Sequence, residues 1–287
     1  MVRKRRSLFD FVNGLLLTLF TLAVALPILY VVSASLTPYV ELVRSGGIVL
    51  FPRMPTLEGY RTFLEQPLTV RAFLNTVFIT VVGTGLSLLI TTLMAYPISR
   101  RDLPGRKGFT LLAFIPMVVS AGLVPGYLVV RSVGLLNSVW AMIIPGLVSS
   151  YNLMIMKSFF TGLDKEYLEA ARIDGAGEAR TLVSIVLPLS LPVLCTMALF
   201  YGVAYWNTYY AAVYYVPDPM KQPLQVLLRG IISSAESILF EATVDVAVPG
   251  FTLKMASVVM TALPILVVYP FLQKYFVQGA TLGGVKG

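Results

Sequence analysis

The residues whose types and spacing could do chemistry lie in one polar stretch, Leu163 to Pro188, reading LDKEYLEAARIDGAGEARTLVSIVLP. Within it Glu169-Ala170-Ala171 is followed, two residues on, by Asp174-Gly175-Ala176 and, after eleven more, by Pro188. Charges stand at fixed places, while the small residues Ala170, Ala171 and Ala176 leave little bulk, so another surface can approach the backbone closely. The chemistry this supports is recognition.

Catalysis finds little support elsewhere. The 287 residues include no histidine and one cysteine, Cys195, inside an apolar run. Disulfides, Cys/His zinc clusters and Cys/His or Ser/His/Asp nucleophile sets are therefore excluded, and no metal site is expected. No GxxxxGK[ST] occurs, so the chain is not expected to hydrolyse ATP, and it is read as a non-enzyme.

The elements that must position the stretch follow from the solvent. With 57% apolar and 13% charged residues, the chain cannot hide its apolar surface in one water-soluble core. Six stretches approach the roughly 20 residues needed to cross a bilayer as helix, at about 11–32, 72–98, 109–130, 138–156, 189–212 and 253–271. The expected fold is an all-α polytopic membrane protein with a single transmembrane domain over 1–287. The basic N-terminus, Arg3 to Arg6, precedes an apolar run too long for a cleavable signal. Lys and Arg gather on one face, which carries net +7 against +1 on the other, within a total of +8. This places both termini and the loop 157–188 in the cytoplasm, with external loops at 33–71 and 213–252. The positive charge is thereby ascribed to topology and not to nucleic acid. The Ser/Thr residues of the second span (Thr76, Thr80, Thr84, Ser87, Thr91, Thr92) with Gly83 and Gly85 indicate close helix packing.

Under this topology Leu163 to Pro188 reads as a cytoplasmic helix-turn-helix. Asp164 caps a first helix, Tyr167, Leu168, Ala171 and Ile173 supply an apolar stripe, and Glu169 pairs with Arg172 at i,i+3. Gly175 permits a left-handed turn, and a second helix covers about 177–187. A plain surface hairpin and a partner-docking device both fit this shape.

The ordered spacing Glu169-Ala170-Ala171, Asp174-Gly175-Ala176, Pro188 resembles the EAA motif of inner-membrane permease subunits of ABC importers. The resemblance extends through Asn75-Thr76, Ala95-Tyr96-Pro97-Ile98-Ser99-Arg100 and Gly283-Gly284-Val285-Lys286-Gly287 to the carbohydrate branch, with maltose-type members. Leu50-Phe51-Pro52 and Thr56-Leu57-Glu58-Gly59-Tyr60 are similar to permeases for larger oligosaccharides. It implies the type I ABC importer permease fold, with a coupling helix between the fourth and fifth spans. Docking on a separate ATPase would fall to Glu169, Ala170, Ala171, Asp174, Gly175 and Ala176. Gly284, Val285, Lys286 and Gly287 would supply a second ATPase contact. The partners implied are a second homologous permease, two copies of an ABC ATPase that bind ATP and magnesium, and an external solute-binding protein, in a bacterial inner membrane. One departure is Asp164, where many relatives carry proline.

Two readings fit the aromatic residues of the fifth span. Tyr205, Trp206, Asn207 and Tyr209 offer apolar faces with polar tips that suit sugar rings, and an interfacial aromatic belt has the same composition. A self-sufficient secondary transporter or channel would carry charges inside its spans. None falls well inside the six drawn here.

Overall fold

The computed structural model describes residues 8–241 and 250–283, and every regular element among them is helical. In chain order these are α1 (Leu8–Ser35), α2 (Tyr39–Arg44), α3 (Glu58–Glu65), α4 (Thr69–Ser99), α5 (Arg106–Val118) and α6 (Leu123–Ser132). Then come two 3-10 turns at Val139–Met142 and Ile144–Gly146, α7 (Ser150–Thr161), α8 (Lys165–Ile173), α9 (Glu178–Thr181), a π-turn at Leu182–Val186 and α10 (Leu187–Leu189). The chain continues with α11 (Leu191–Trp206), α12 (Tyr210–Tyr215), a 3-10 turn at Pro219–Lys221, α13 (Leu224–Glu241) and α14 (Gly250–Gly283).

Three helices are long and apolar enough to cross a bilayer unaided: α1, α4 and Gly250–Val268 of α14. Three bent pairs reach the same length and apolarity only when taken together: α5 with α6 at 117°, Val139–Gly146 with α7 at 46°, and the Glu178–Leu189 segment with α11 at 82°. Counting each bent pair as one span brings the described residues to six spans, in an all-α membrane fold. Each bend has a local cause. Pro116 lies in α5, and Gly122 at φ +81 precedes α6. Pro145 sits in the second 3-10 turn, after which Ser149 restarts a helix by accepting from the Asn152 amide at 3.4 Å. Before α11, Ser190 leaves the helical region and Pro192 occupies the first turn, where its missing N–H has no intrahelical partner to lose.

The chain divides into two compact units, residues 1–69 with 228–263 and residues 70–227 with 264–287. In the first, the start of α14 packs so closely on α3 that a Cβ on Gly59 would meet the Thr252 carbonyl oxygen at 2.9 Å. Thr252 Oγ1 donates to the Thr37 carbonyl at 3.1 Å, and the Ser35 and Tyr60 hydroxyls share a 2.6 Å bond. Here α1 exposes Leu16, Leu17 and Phe20, the surface a lipid-facing helix presents.

The second unit holds the larger core, built on Ile79, Met142, Ile143, Leu153, Met156, Met197, Tyr201 and Tyr205. Thr76 Oγ1 accepts from the Leu224 amide at 2.8 Å, fixing the start of α13 against α4. Ser87 and Thr91 of the same helix serve the site described next.

Candidate functional site

The polar loop is a helix-turn-helix whose turn has full Schellman geometry. Asp174 ends α8, the Gly175 amide donates to the Arg172 carbonyl at 3.1 Å, and the Ala176 amide donates to the Ala171 carbonyl at 2.9 Å. Both bonds require a left-handed residue at position 175, and Gly175 sits at φ +73.

Three local expectations give way to different contacts. Asp164 occupies the N-cap position, but its carboxylate makes no capping bond. Arg172 does not turn to Glu169. Its guanidinium donates to Asp102 Oδ2 at 2.5 Å and to Glu178 Oε1 at 3.3 Å, because two carboxylates arriving from other segments outcompete one exposed i,i+3 neighbour. The second helix is not regular over 177–187: α9 lasts one turn and passes into the π-turn, with Val186 buried against the core.

The apolar stripe of α8 also divides. Leu168 packs against the core and Ala171 is buried, while Tyr167 is 53% and Ile173 86% exposed. Glu169, Ala170, Asp174 and Gly175 are exposed with them, and Ala176 is half-buried. Glu169, Ala170, Ile173, Asp174 and Gly175 therefore form an outward face, and buried Ala171 holds the helix from behind. Ile173 and Tyr167 are the large apolar side chains that this polar helix leaves exposed. Sequence periodicity assigned Ile173 to the inward stripe, yet it lies five residues beyond Leu168, on the other side of a 3.6-residue turn.

A hydrogen-bonded clamp ties the loop to the end of α4. Glu178 Oε2 accepts from Tyr96 Oη at 2.5 Å, and Glu178 Oε1 accepts from Arg100 at 3.2 Å as well as from Arg172. The Arg100 guanidinium lies 5.7 Å from the Tyr96 ring centroid. The hydrogen bond from Tyr96, followed by that from Arg172, holds the Glu178 carboxyl below the usual carboxylate range. The bond from Arg172 does the same for Asp102.

The four aromatic-run residues go to separate places. Tyr205 is buried. Its hydroxyl donates to the Ile143 carbonyl at 3.2 Å, so it accepts from Ser87 Oγ at 3.0 Å. Its ring leaves no space for a side chain on α4, since a Cβ on Gly83 would stand 2.8 Å away. One turn earlier the Tyr201 hydroxyl bonds Thr91 Oγ1 at 2.7 Å and accepts from the Ser149 amide at 3.2 Å. Trp206 is buried edge-on to Phe73 and borders an apolar cavity of about 480 Å³ with Thr80 and Thr84. Asn207 ends α11, donating to the Val203 carbonyl and accepting from Gln225 Nε2 at 3.2 Å. Tyr209 stacks edge-to-face on Tyr210.

A second cavity, of about 710 Å³, is lined by Tyr205 and Tyr201 together with Ser149, Tyr151, Asn152 and Thr208 among others. Composition alone hides these residues, because 138–156 reads as one continuous apolar span. The polar run Ser149-Ser150-Tyr151-Asn152 just after Pro145-Gly146 is the signal that marks it. Among the described residues no group of three or more metal-ligating side chains occurs. Gly284, Val285, Lys286 and Gly287 lie outside the described residues.

Comparison with known proteins covers nearly the whole chain. Residues 1–281 match the family described as binding-protein-dependent transport system inner membrane component. The polygalacturonan/rhamnogalacturonan transport system permease protein YtcP of Bacillus subtilis (strain 168) is 42% identical over 99% of this chain and 100% of its own length. The arabinooligosaccharides transport system permease protein AraQ of Halalkalibacterium halodurans is 31% identical, with 91% of each chain covered. A crystal structure of a bacterial ABC transporter involved in the import of the acidic polysaccharide alginate contains a chain that superposes with a TM-score of 0.85 at 30% identity. The match covers 96% of this chain and 99% of that one.

Proposed function

We propose that this chain, which belongs to the family of binding-protein-dependent transport system inner membrane components, forms half of the translocation path of an ATP-binding-cassette importer for oligosaccharides that contain uronic acids. The chain-long likeness to YtcP and to the alginate importer chain is the observation that carries the substrate class, since both names concern acidic polysaccharides or their fragments. It is a permease subunit and not an enzyme. A second permease of the same fold completes the path, two copies of a separate ATPase bind ATP and magnesium, and an external binding protein delivers the sugar. The loop carrying Gly175 and both termini face the cytoplasm, in keeping with the basic residues on that face.

The ATPase docks on the outward face of α8, with Ile173 as the apolar anchor, Glu169 and Asp174 at its rim, and Ala170 and Gly175 allowing close approach. Ala171 and Ala176 act from behind, by holding the helix and closing the turn. Movement of this loop reaches the path by two connections. One is covalent, through the π-turn and the 82° bend into α11. The other passes through the Glu178 clamp to α4, whose Ser87 and Thr91 grip Tyr205 and Tyr201.

Sugar passes along the cavity lined by Ser149, Tyr151, Asn152 and Thr208, where one exposed aromatic face adjoins several hydrogen-bonding groups. Tyr205 and Tyr201 form its rigid back wall, while Trp206, Asn207 and Tyr209 stand beside it. The docking surface is tested by Ile173→Asp: the ATPase should no longer co-purify with the permease pair, while membrane levels stay at the wild-type value. Undiminished co-purification would remove the α8 face from the interface.

A further inference from the structure

On the face of the second unit that carries the clamp, α5 packs on α7 and the two helices leave a groove of about 410 Å³ lined by Arg106, Lys107, Thr110, Leu111, Phe114 and Lys157. Three cations line this groove without a carboxylate, and among the described residues none of the three forms an ion pair. Arg106 is partly committed, since its Nε donates to the Ile98 carbonyl at 2.9 Å and so ties the turn to the end of α4. Lys107 is exposed and Lys157 half-buried. Like charges gathered in this way repel one another, and the arrangement is relieved by an anion.

The other half of the groove selects the kind of anion. Leu111 is 59% and Phe114 42% exposed, and α5 carries no buried residue along its length. From the cations the helix continues as an apolar rail through Leu112, Ile115 and Val118, all three exposed. A free phosphate would satisfy the charges and leave the rail bare. A molecule with a phosphate at one end and an acyl chain along the helix satisfies both.

We propose that the groove between α5 and α7 is a binding site for one anionic phospholipid of the inner leaflet, its phosphate held by Arg106, Lys107 and Lys157 and its chain lying on Leu111 and Phe114. The site rests on the membrane orientation proposed above, which puts these cations at the cytoplasmic boundary. Bound lipid would brace α5 against α7 next to the loop that couples to the ATPase.

The test is lipid retention by the assembled importer, read by native mass spectrometry after delipidation and addition of phosphatidylglycerol or phosphatidylcholine. Lys107→Gln with Lys157→Gln removes two charges and spares Arg106, which the turn needs. Wild type should retain one phosphatidylglycerol per copy of this chain and no phosphatidylcholine, and the double variant should lose it with an affinity drop of about thirty-fold, from roughly 1 kcal/mol per basic residue. Lys107→Arg with Lys157→Arg should restore retention, which separates the site from a folding defect. Equal retention by wild type and the Gln variant would overturn the site. Displacement of the lipid by millimolar inorganic phosphate would assign it to a free anion instead. Loss of the second permease from the Gln variant, with lipid unchanged, would assign the groove to an acidic protein partner. Because the readout is bound mass and not transport, failure here leaves the importer reading standing, and failure of transport leaves the site standing.

Discussion

Tyr96 Oη donates to Glu178 Oε2 at 2.5 Å, joining two residues 82 positions apart. Through this one carboxylate the end of α4 is bound to the loop that carries the outward face of α8, and Arg100 and Arg172 converge on its other oxygen. Exposed ion pairs taken singly contribute little. Here three donors share one acceptor group, and the geometry makes loop and helix move together.

Glu178→Gln keeps the size of the side chain and its bond to Tyr96 and removes the charge that both arginines use. Substrate-stimulated ATPase activity of the importer should fall about five- to tenfold, the scale of a modest coupling energy, while co-purification of the ATPase persists. A Tyr96→Phe and Glu178→Ala double-mutant cycle, in which each single change removes the bond between the two side chains, should show non-additive losses. Additive losses would mean that the clamp transmits nothing.

The same carboxylates fix the pH response. Glu178 and Asp102 have lowered pKa values in the folded protein, so their contribution is present above the ordinary carboxylate range near 4 and fades only as pH falls through the lowered values. ATPase binding should therefore be flat between about pH 5 and 8 as far as these groups decide it. A loss between pH 7 and 5 that Glu178→Gln abolishes would contradict the sign.

Gly175 has open space around it, since a Cβ added there would meet nothing within 4 Å, so its replacement is opposed by backbone conformation alone. Gly175→Ala should cost about 1–2 kcal/mol at φ +73 and weaken ATPase co-purification several-fold. Gly175→Asn, which tolerates the left-handed region better, should do less harm. An Ala variant that behaves as wild type would show that the Schellman turn is not required.

Gly83 and Gly85 make a matched pair on α4. A Cβ at 83 would enter the Tyr205 ring at 2.8 Å, and one at 85 meets nothing within 4 Å. Gly83→Ala should lower the thermal stability of the purified importer by about 1–3 kcal/mol, and Gly85→Ala should leave it unchanged. Equal melting of the two would mean that Tyr205 can give way.

Tyr151→Ala should reduce sugar uptake by roughly tenfold at unchanged assembly, because an exposed aromatic face in the cavity is lost. Tyr205→Phe should act the other way, lowering stability by about 1 kcal/mol through its two hydroxyl bonds with uptake largely kept. The reverse pattern would return the path to the aromatic run of α11.

Class, span number and motif were legible from sequence because each depends on composition or local order. Apolar run length indicates six spans, and Gly175 after the short polar helix indicates the left-handed turn found there at φ +73. The bends were not legible, since an apolar run such as 109–130 reads the same whether straight or turned through 117° at Gly122. Nor was the clamp: Arg172 has a carboxylate three residues away in Glu169, and only the fold brings Asp102 from 70 positions off. The cavity residues at 149–152 escaped for a similar reason, being polar groups at a helix restart inside what looked like one span.

The most direct measurement is uptake of a labelled uronate oligosaccharide into proteoliposomes holding this chain with its second permease, the ATPase and the binding protein. Uptake should require ATP and all four components, and Ile173→Asp should abolish both uptake and stimulated ATP hydrolysis. Uptake into vesicles that contain this chain alone, without ATPase or ATP, would contradict the importer assignment outright.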